Sequence, residues 1–184
     1  MKVAITGGIG SGKSYVCEQL KTKGIEVYDC DNAAKRIMRH SVALRKQLVE
    51  LIGKDAYIGE LPNKACIASF ILSSDENAKL VNSVIHPAVA QDFIESGYSF
   101  MECAILFTSG FDRLVDKVVC VAAPLEVRLN RIMKRDSISK DRAKEWIDCQ
   151  MSQEDVIKRS DYVIMNDGSE NINSQIEEML KRIK

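Results

Sequence analysis

Lys2-Val3-Ala4-Ile5-Thr6-Gly7-Gly8-Ile9-Gly10-Ser11-Gly12-Lys13-Ser14 is the stretch that decides the architecture of this chain. Residues 2–6 read as a short buried strand that stops at Gly7, and a helical pattern runs from the end of the stretch to about Lys23. The octet between them, Gly7 to Ser14, fits the phosphate-loop pattern G-x-x-x-x-G-K-[ST] in the context that gives the pattern meaning. Phosphate oxygens need a ring of donors at close range. The backbone N–H groups of a glycine turn supply it, and the N-terminal end of the following helix adds positive potential. Gly7, Gly10 and Gly12 leave room for that approach. Lys13 is expected to bridge the β- and γ-phosphates of a nucleoside triphosphate, and the Ser14 hydroxyl to be a magnesium ligand.

Outward from this stretch, further apolar runs at 25–29, 98–103, 117–122 and 161–166 alternate with helical patterns. Strands and helices in alternation imply right-handed crossovers and a parallel sheet covered on both faces, here an α/β sandwich of three layers with five strands. Residues 31–95 exceed what one crossover needs and look helical, with segments at 33–38, 42–52, 64–72 and 75–95. Ser73 with Glu76 has the form of a capping box, Pro62 suits a helix start, and Pro87 is expected to interrupt or kink the last segment. A second insertion, with helical patterns at 125–134 and 140–151 and a cap at Ser152 with Asp155, reads as a small lid. The last helix is expected over 169–182, with Ile172, Ile176, Met179 and Ile183 on its inner face. The chain is thus read as one unit: a core of 1–30, 96–124 and 160–184, a helical insertion at 31–95 and a lid at 125–159.

Composition limits the function classes. With 46% apolar and 28% charged residues and three prolines among 184, the chain is an ordinary globular protein. Twenty-six basic residues balance twenty-six acidic ones, so the footprint of a dedicated nucleic-acid binder is missing. The first apolar run is too short for a signal peptide or a membrane span, and we expect a cytoplasmic protein with neither membrane nor nucleic acid as partner. The six cysteines lack the close pairs of zinc or redox sites and read as reduced, mostly buried small apolar residues.

A phosphate loop alone does not separate a kinase from a switch or a motor. Asp29-Cys30-Asp31 closes the second strand run, at the sheet edge where ligands of open α/β sheets bind, and a carboxylate there could accept a hydroxyl proton. The alternative is that Asp31 caps a helix starting at Asn32. Arg128, Arg131 and Arg135 share one helix face, with Arg142 on the next helix, and guanidinium groups suit charge spread over phosphate oxygens. Pairing with Glu126, Asp136 or helix-end carbonyls is the other reading. His86, next to Pro87, is by type more often a packed or capping residue, and Asn166 before Gly168 is either a turn former or a base contact.

Several segments together resemble the dephospho-CoA kinases. They are Ile5-Thr6-Gly7-Gly8-Ile9-Gly10-Ser11-Gly12-Lys13-Ser14, Val27-Tyr28-Asp29-Cys30-Asp31, Asn82-Ser83-Val84-Ile85-His86-Pro87, Lys117-Val118-Val119-Cys120-Val121, Arg131 with Arg135-Asp136, Gln150, and Asp161 to Gly168. The resemblance covers nearly the whole chain in the family's order. It implies a P-loop kinase that transfers the γ-phosphoryl group of ATP to the ribose 3′-hydroxyl of dephospho-coenzyme A, an alcohol acceptor, with magnesium, completing coenzyme A. It further implies Asp31 as base, Lys13 and Arg131 as catalytic cations, and Gly8, Ile9, Gly10, Ser11, Gly12, Lys13, Ser14, Tyr15, Arg135 and Asn166 around ATP. Asp31, Lys64, His86 and Pro87 would lie on the acceptor side, in an acceptor-binding insertion.

Three positions depart from the family pattern. Thr108 stands where an acidic residue usually ends the third-strand segment, and Glu102 is not an obvious substitute. Asn63-Lys64 replaces a basic pair, and Tyr15 replaces the usual threonine. Two rival readings follow: a kinase of the same architecture with another nucleoside or nucleotide acceptor, or a nucleotide-binding regulator without catalysis.

Overall fold

Val3–Thr6 forms β1, and all four of its residues are buried because helices cover both faces of the sheet. β1 pairs in parallel with β5 (Phe100–Glu102), Val3 opposite Phe100, and with β6 (Lys117–Ala122), Val3 opposite Lys117. β7 (Tyr162–Met165) extends the sheet beyond β6 and β2 (Val27–Asp29) beyond β5, giving five strands in the order β2-β5-β1-β6-β7. The computed structural model behind this description covers residues 1–183; Lys184, the last residue of the expected core segment, lies outside the described residues.

By contacts the chain divides into two compact units, Met1–Tyr28 with Tyr98–Lys184, and Asp29–Gly97. In the first, β6 shows why the sheet is the middle of three layers. Val119 and Val121 point to one face, where they pack with Val16, Cys17 and Leu20 of α1 (Lys13–Thr22) and with Ile176 and Met179 of α10 (Ile172–Arg182). Cys120 and Ala122 point to the other, against Val156 of α9 (Gln153–Lys158) and Phe107 of α6 (Leu106–Ser109). Leu129 and Ile132 of α7 (Leu125–Asp136) pack with Ala143 of α8 (Lys140–Asp148), and Ile9 of the phosphate loop joins that cluster. Ser152 caps α9 as expected, but α10 starts at Ile172, not at residue 169. The Asp167 carboxylate accepts from the Ser169 N–H at 2.9 Å and holds that segment in a turn, so Asn171 becomes the cap.

The second unit consists of α2 (Cys30–His40), α3 (Val42–Ile52), a 3-10 turn at Lys54–Ala56, a hairpin of β3 (Tyr57–Ile58) and β4 (Leu61–Pro62), α4 (Lys64–Ser73) and α5 (Asp75–Ser96). α5 packs against α2, α3 and α4, and Arg36 of α2 pairs with Asp92 of α5 at 2.6 Å. The hairpin corrects the all-helical expectation: Pro62 belongs to β4, and the start of α4 is capped by Asn63 instead. The capping serine of α5 is Ser74, which accepts from the Asn77 N–H at 3.1 Å, not Ser73, which ends α4 and donates to the Phe70 carbonyl. Pro87 cannot donate to the Ser83 carbonyl, yet α5 runs through it from Asp75 to Ser96. The six cysteines are free thiols; four are buried, Cys66 is half-buried and Cys149 is exposed. Among the described residues no helix is long and apolar enough to cross a membrane.

Candidate active site

The loop from Gly7 to Gly12 leaves the carboxyl end of β1, the centre of the sheet, and enters α1 at Lys13. Gly12 adopts φ 95°, a left-handed conformation costly for any residue with a Cβ, and a Cβ there would also collide with Asn166 Nδ2. The loop therefore runs bare-backboned past the end of β7. Lys13 folds back over it, its Nζ 3.4 Å from the Gly8 carbonyl.

Ser14, on the exposed side of the first turn of α1, places its Oγ 3.5 Å from Glu102 Oε1. This corrects the reading of Glu102. Because β5 is the parallel neighbour of β1, with Ile5 opposite Glu102, the carboxylate emerges at the sheet edge beside the phosphate loop. The same carboxylate is hydrogen-bonded to the Cys17 thiol, whose pKa is pushed far up by burial and further by Glu102. Thr108 has no comparable position: it is exposed at the end of α6, and its hydroxyl donates to the Ile105 carbonyl at 3.2 Å.

The donor set at Ser14 fits magnesium. Among the described residues no group of three or more His, Cys, Asp or Glu side chains could cage a metal. Magnesium keeps most of its waters and takes one or two protein oxygens plus phosphate oxygens, so a hydroxyl and a carboxylate beside a phosphate loop suffice.

On the other side of the loop, Arg131 of α7 donates through Nη1 to the carbonyls of Gly10 and Ser11, at 3.3 and 3.2 Å, and through Nη2 to Asn166 Oδ1 at 3.3 Å. Asn166, buried at the end of β7, donates through Nδ2 to the Ser11 carbonyl at 2.9 Å. Arg128, one turn before Arg131, is buried and donates through Nε to the Ile9 carbonyl at 2.9 Å, while Gln150 Oε1 accepts from the Ile9 N–H at 2.7 Å. Arg135, on the same helical face, is exposed and turns to its neighbour Asp136, 2.7 Å away; Glu126 pairs with Lys140. Tyr15 is exposed on α1. Gly8, Ile9, Gly10, Ser11, Gly12, Lys13, Ser14, Arg131 and Asn166 are thus brought together, and Arg135 and Tyr15 are not engaged with the loop.

The remaining candidates belong to the second unit. Asp31 is exposed in the first turn of α2, but it is not the cap: the helix begins at Cys30, and Asp29 accepts from the Asn32 N–H at 2.9 Å. Lys64 is exposed at the start of α4. His86 is half-buried in α5, which holds its pKa below the usual histidine range, so it is neutral at pH 7; Pro87 beside it is exposed.

Comparison with known proteins agrees with this geometry. The dephospho-CoA kinase family model matches residues 1–171. Dephospho-CoA kinase from Bacteroides fragilis is 38% identical over 187 residues, covering 98% of this chain and 91% of the relative. That of Porphyromonas gingivalis is 40% identical over 171 residues, covering 89% and 85%. Among solved structures, TT1252 from Thermus thermophilus superimposes with a TM-score of 0.86 at 29% identity, covering 100% of this chain and 98% of that one. Dephospho-CoA kinase from Campylobacter jejuni shares the fold, with a TM-score of 0.70 at 24% identity over 100% and 98% of the two chains. A sheet-centred phosphate loop with a carboxylate facing its serine, and a family match spanning nearly the whole sequence, lead to one assignment: this chain belongs to the dephospho-CoA kinase family.

Proposed function

We propose that the chain catalyses in-line transfer of the γ-phosphoryl group of ATP to the ribose 3′-hydroxyl of dephospho-coenzyme A, with ADP and coenzyme A as products. The observation that carries this reading is the convergence of the Lys13 ammonium, the Ser14 hydroxyl and the Arg131 guanidinium on one glycine loop. Loop amides and Lys13 hold the triphosphate, and Lys13 follows the transferring group as a point charge. Ser14, with Glu102 beside it, would hold magnesium, and an ion held there would neutralise charge on the phosphate oxygens. Arg131 adds positive charge beside the loop, and Asn166 is read as the adenine contact. Arg135 is assigned to ATP once its pairing with Asp136 is exchanged for the nucleotide.

Asp31 accepts the proton of the 3′-hydroxyl or orients that group for attack. Lys64, His86 and Pro87 are read as part of acceptor binding within Asp29–Gly97. Most of the rate then comes from positioning and charge rather than covalent chemistry. Because the substrates are water-soluble small molecules and the thiols are free, we place the reaction in the cytoplasm.

The test is ATP consumption with magnesium, with and without dephospho-coenzyme A, and identification of the nucleotide products. Acceptor-dependent formation of ADP and coenzyme A is expected. Turnover on a different nucleoside or nucleotide in preference to dephospho-coenzyme A would refute the acceptor assignment.

A further inference from the structure

We infer that Arg128 and Gln150 form a positioning pair that sets the shape of the phosphate loop by holding both backbone polar groups of Ile9. The inference rests on the reading that the Gly7 to Ser14 loop binds ATP.

Ile9 sits at the tip of that loop, among glycines that supply no side-chain contacts of their own. Its N–H donates to Gln150 Oε1 at 2.7 Å and its carbonyl accepts from Arg128 Nε at 2.9 Å. Two side chains more than a hundred residues downstream therefore fix one residue of the loop from both ends.

The packing around Arg128 is equally close. A Cβ at Gly8 would collide with Arg128 Nη2 and lie 3.3 Å from Gln150 Oε1, and one at Gly10 would lie 2.7 Å from the Arg128 carbonyl. The guanidinium thus occupies the space that a side chain at Gly8 would fill. It is only 5% exposed, and among the described residues no carboxylate pairs with it. A buried cation without a counter-charge is costly unless it is hydrogen-bonded or faces an anion that arrives later. Here it meets a loop built for triphosphate, and burial lowers its pKa from the usual arginine value.

The functional consequence concerns preorganisation. A glycine-rich loop loses much conformational freedom when its amides converge on phosphate, and donors fixed beforehand avoid that loss on binding. With the Ile9 N–H taken by Gln150 and the Ser11 N–H by the Gly8 carbonyl at 3.2 Å, Ile9 serves as the anchor, and the start of α1, which has no side-chain cap, is left for the ligand. Gln150 follows α8 and Arg128 lies on α7, so the pair also ties the α7–α9 segment to the nucleotide loop.

The experiment compares Arg128→Met, Gln150→Leu and the double variant with the parent chain, using steady-state kinetics for each substrate, ATP binding by calorimetry and thermal melting. Each single change removes one polar contact while keeping side-chain bulk, and is expected to raise KM for ATP about tenfold. KM for dephospho-coenzyme A should stay within about twofold, and the double variant should lose less than the product of the single losses, as partners acting on one residue do. A role limited to packing would lower the melting temperature without this ATP-specific change. Should Arg128→Met fail to fold, Arg128→Lys, which keeps the charge and stem but not the Nε–H donor, carries the same expectation. Unchanged ATP affinity in folded single variants overturns the inference. If the parent chain and Lys13→Ala bind ATP alike, the failure lies instead with the reading of the loop itself.

Discussion

Glu102 Oε1 faces Ser14 Oγ across 3.5 Å, so the phosphate-loop serine has a carboxylate beside it although Thr108 offers none. On the proposed function, Glu102 is the acid that would complete a magnesium site with Ser14. Glu102→Gln is expected to raise the magnesium concentration for half-maximal rate by about 10-fold to 100-fold, the range typical of lost outer-sphere support. Magnesium titration of activity measures this, and an unshifted curve would contradict the assignment. Thr108→Ala, by comparison, should leave the curve in place.

Replacing Asp31 tests the acceptor side. Asp31→Asn keeps the shape and removes the proposed proton acceptor, and we expect kcat to fall by about two orders of magnitude or more while ATP affinity changes by less than about threefold. Lys13→Ala should damage both quantities, because the role proposed for Lys13 sets it against the triphosphate in ground and transition states alike. Single-turnover rates combined with nucleotide binding separate the two patterns.

Gly12 leaves no room for a side chain. Gly12→Ala places a Cβ against Asn166 Nδ2 in a left-handed backbone conformation, so either the loop or the Asn166 side chain must move and its bond to the Ser11 carbonyl is put at risk. We expect ATP affinity to fall by more than about tenfold and Tm by about 2–4 °C. Gly24→Ala, with open space around its Cβ, carries backbone strain alone and serves as the control for ATP affinity.

Asp161 gives a pH-dependent prediction. Its carboxylate accepts from Lys117 Nζ and from the Val118 N–H, both at 2.8 Å, and ties the starts of β6 and β7 together. The Lys117 hydrogen bond foremost, opposed by desolvation and aided by the Val118 N–H, holds the carboxyl below its usual pKa. A depressed folded-state pKa stabilises above the unfolded pKa, and the contribution disappears as pH falls through the folded value. Asp161→Asn should therefore lower Tm at pH 7 by about 2 °C, the scale of a solvent-screened pair. That difference should shrink below about pH 4 and vanish once the parent carboxyl is protonated.

The parts of this fold legible in the sequence are those whose signal is local. β6 spans residues 117–122 as its apolar run indicates, and the phosphate loop sits between β1 and α1 because its glycines and the flanking patterns allow little else. The β3–β4 hairpin has two residues in each strand, too few for an alternation to register. Ser73 and Ser74 are chemically equivalent caps, and only the end of α4 decides between them.

The candidate site divides in the same way. The spacing of Arg128, Arg131 and Arg135 places them on one face of α7, but whether each guanidinium reaches the loop depends on how that helix packs. Two reach loop carbonyls, and Arg135 turns to Asp136. Glu102 was readable only through register: strand alternation gives its direction, but the pairing of Ile5 with Glu102 gives its neighbour. The contacts of Gln150 and Asn166 with the loop span well over a hundred residues and leave no local trace.

The strand order has a consequence for how the molecule comes into being. β1 is the central strand, yet both of its neighbours, β5 and β6, lie roughly a hundred residues further along the chain. During synthesis the apolar Val3–Thr6 segment emerges well before either partner exists, and no local hairpin can shelter it. Its hydrogen bonds wait for long-range parallel pairing, the slowest kind of contact to close. The nucleotide loop at its end therefore takes shape late, and the nascent chain carries an unpaired, aggregation-prone strand until β6 has been made.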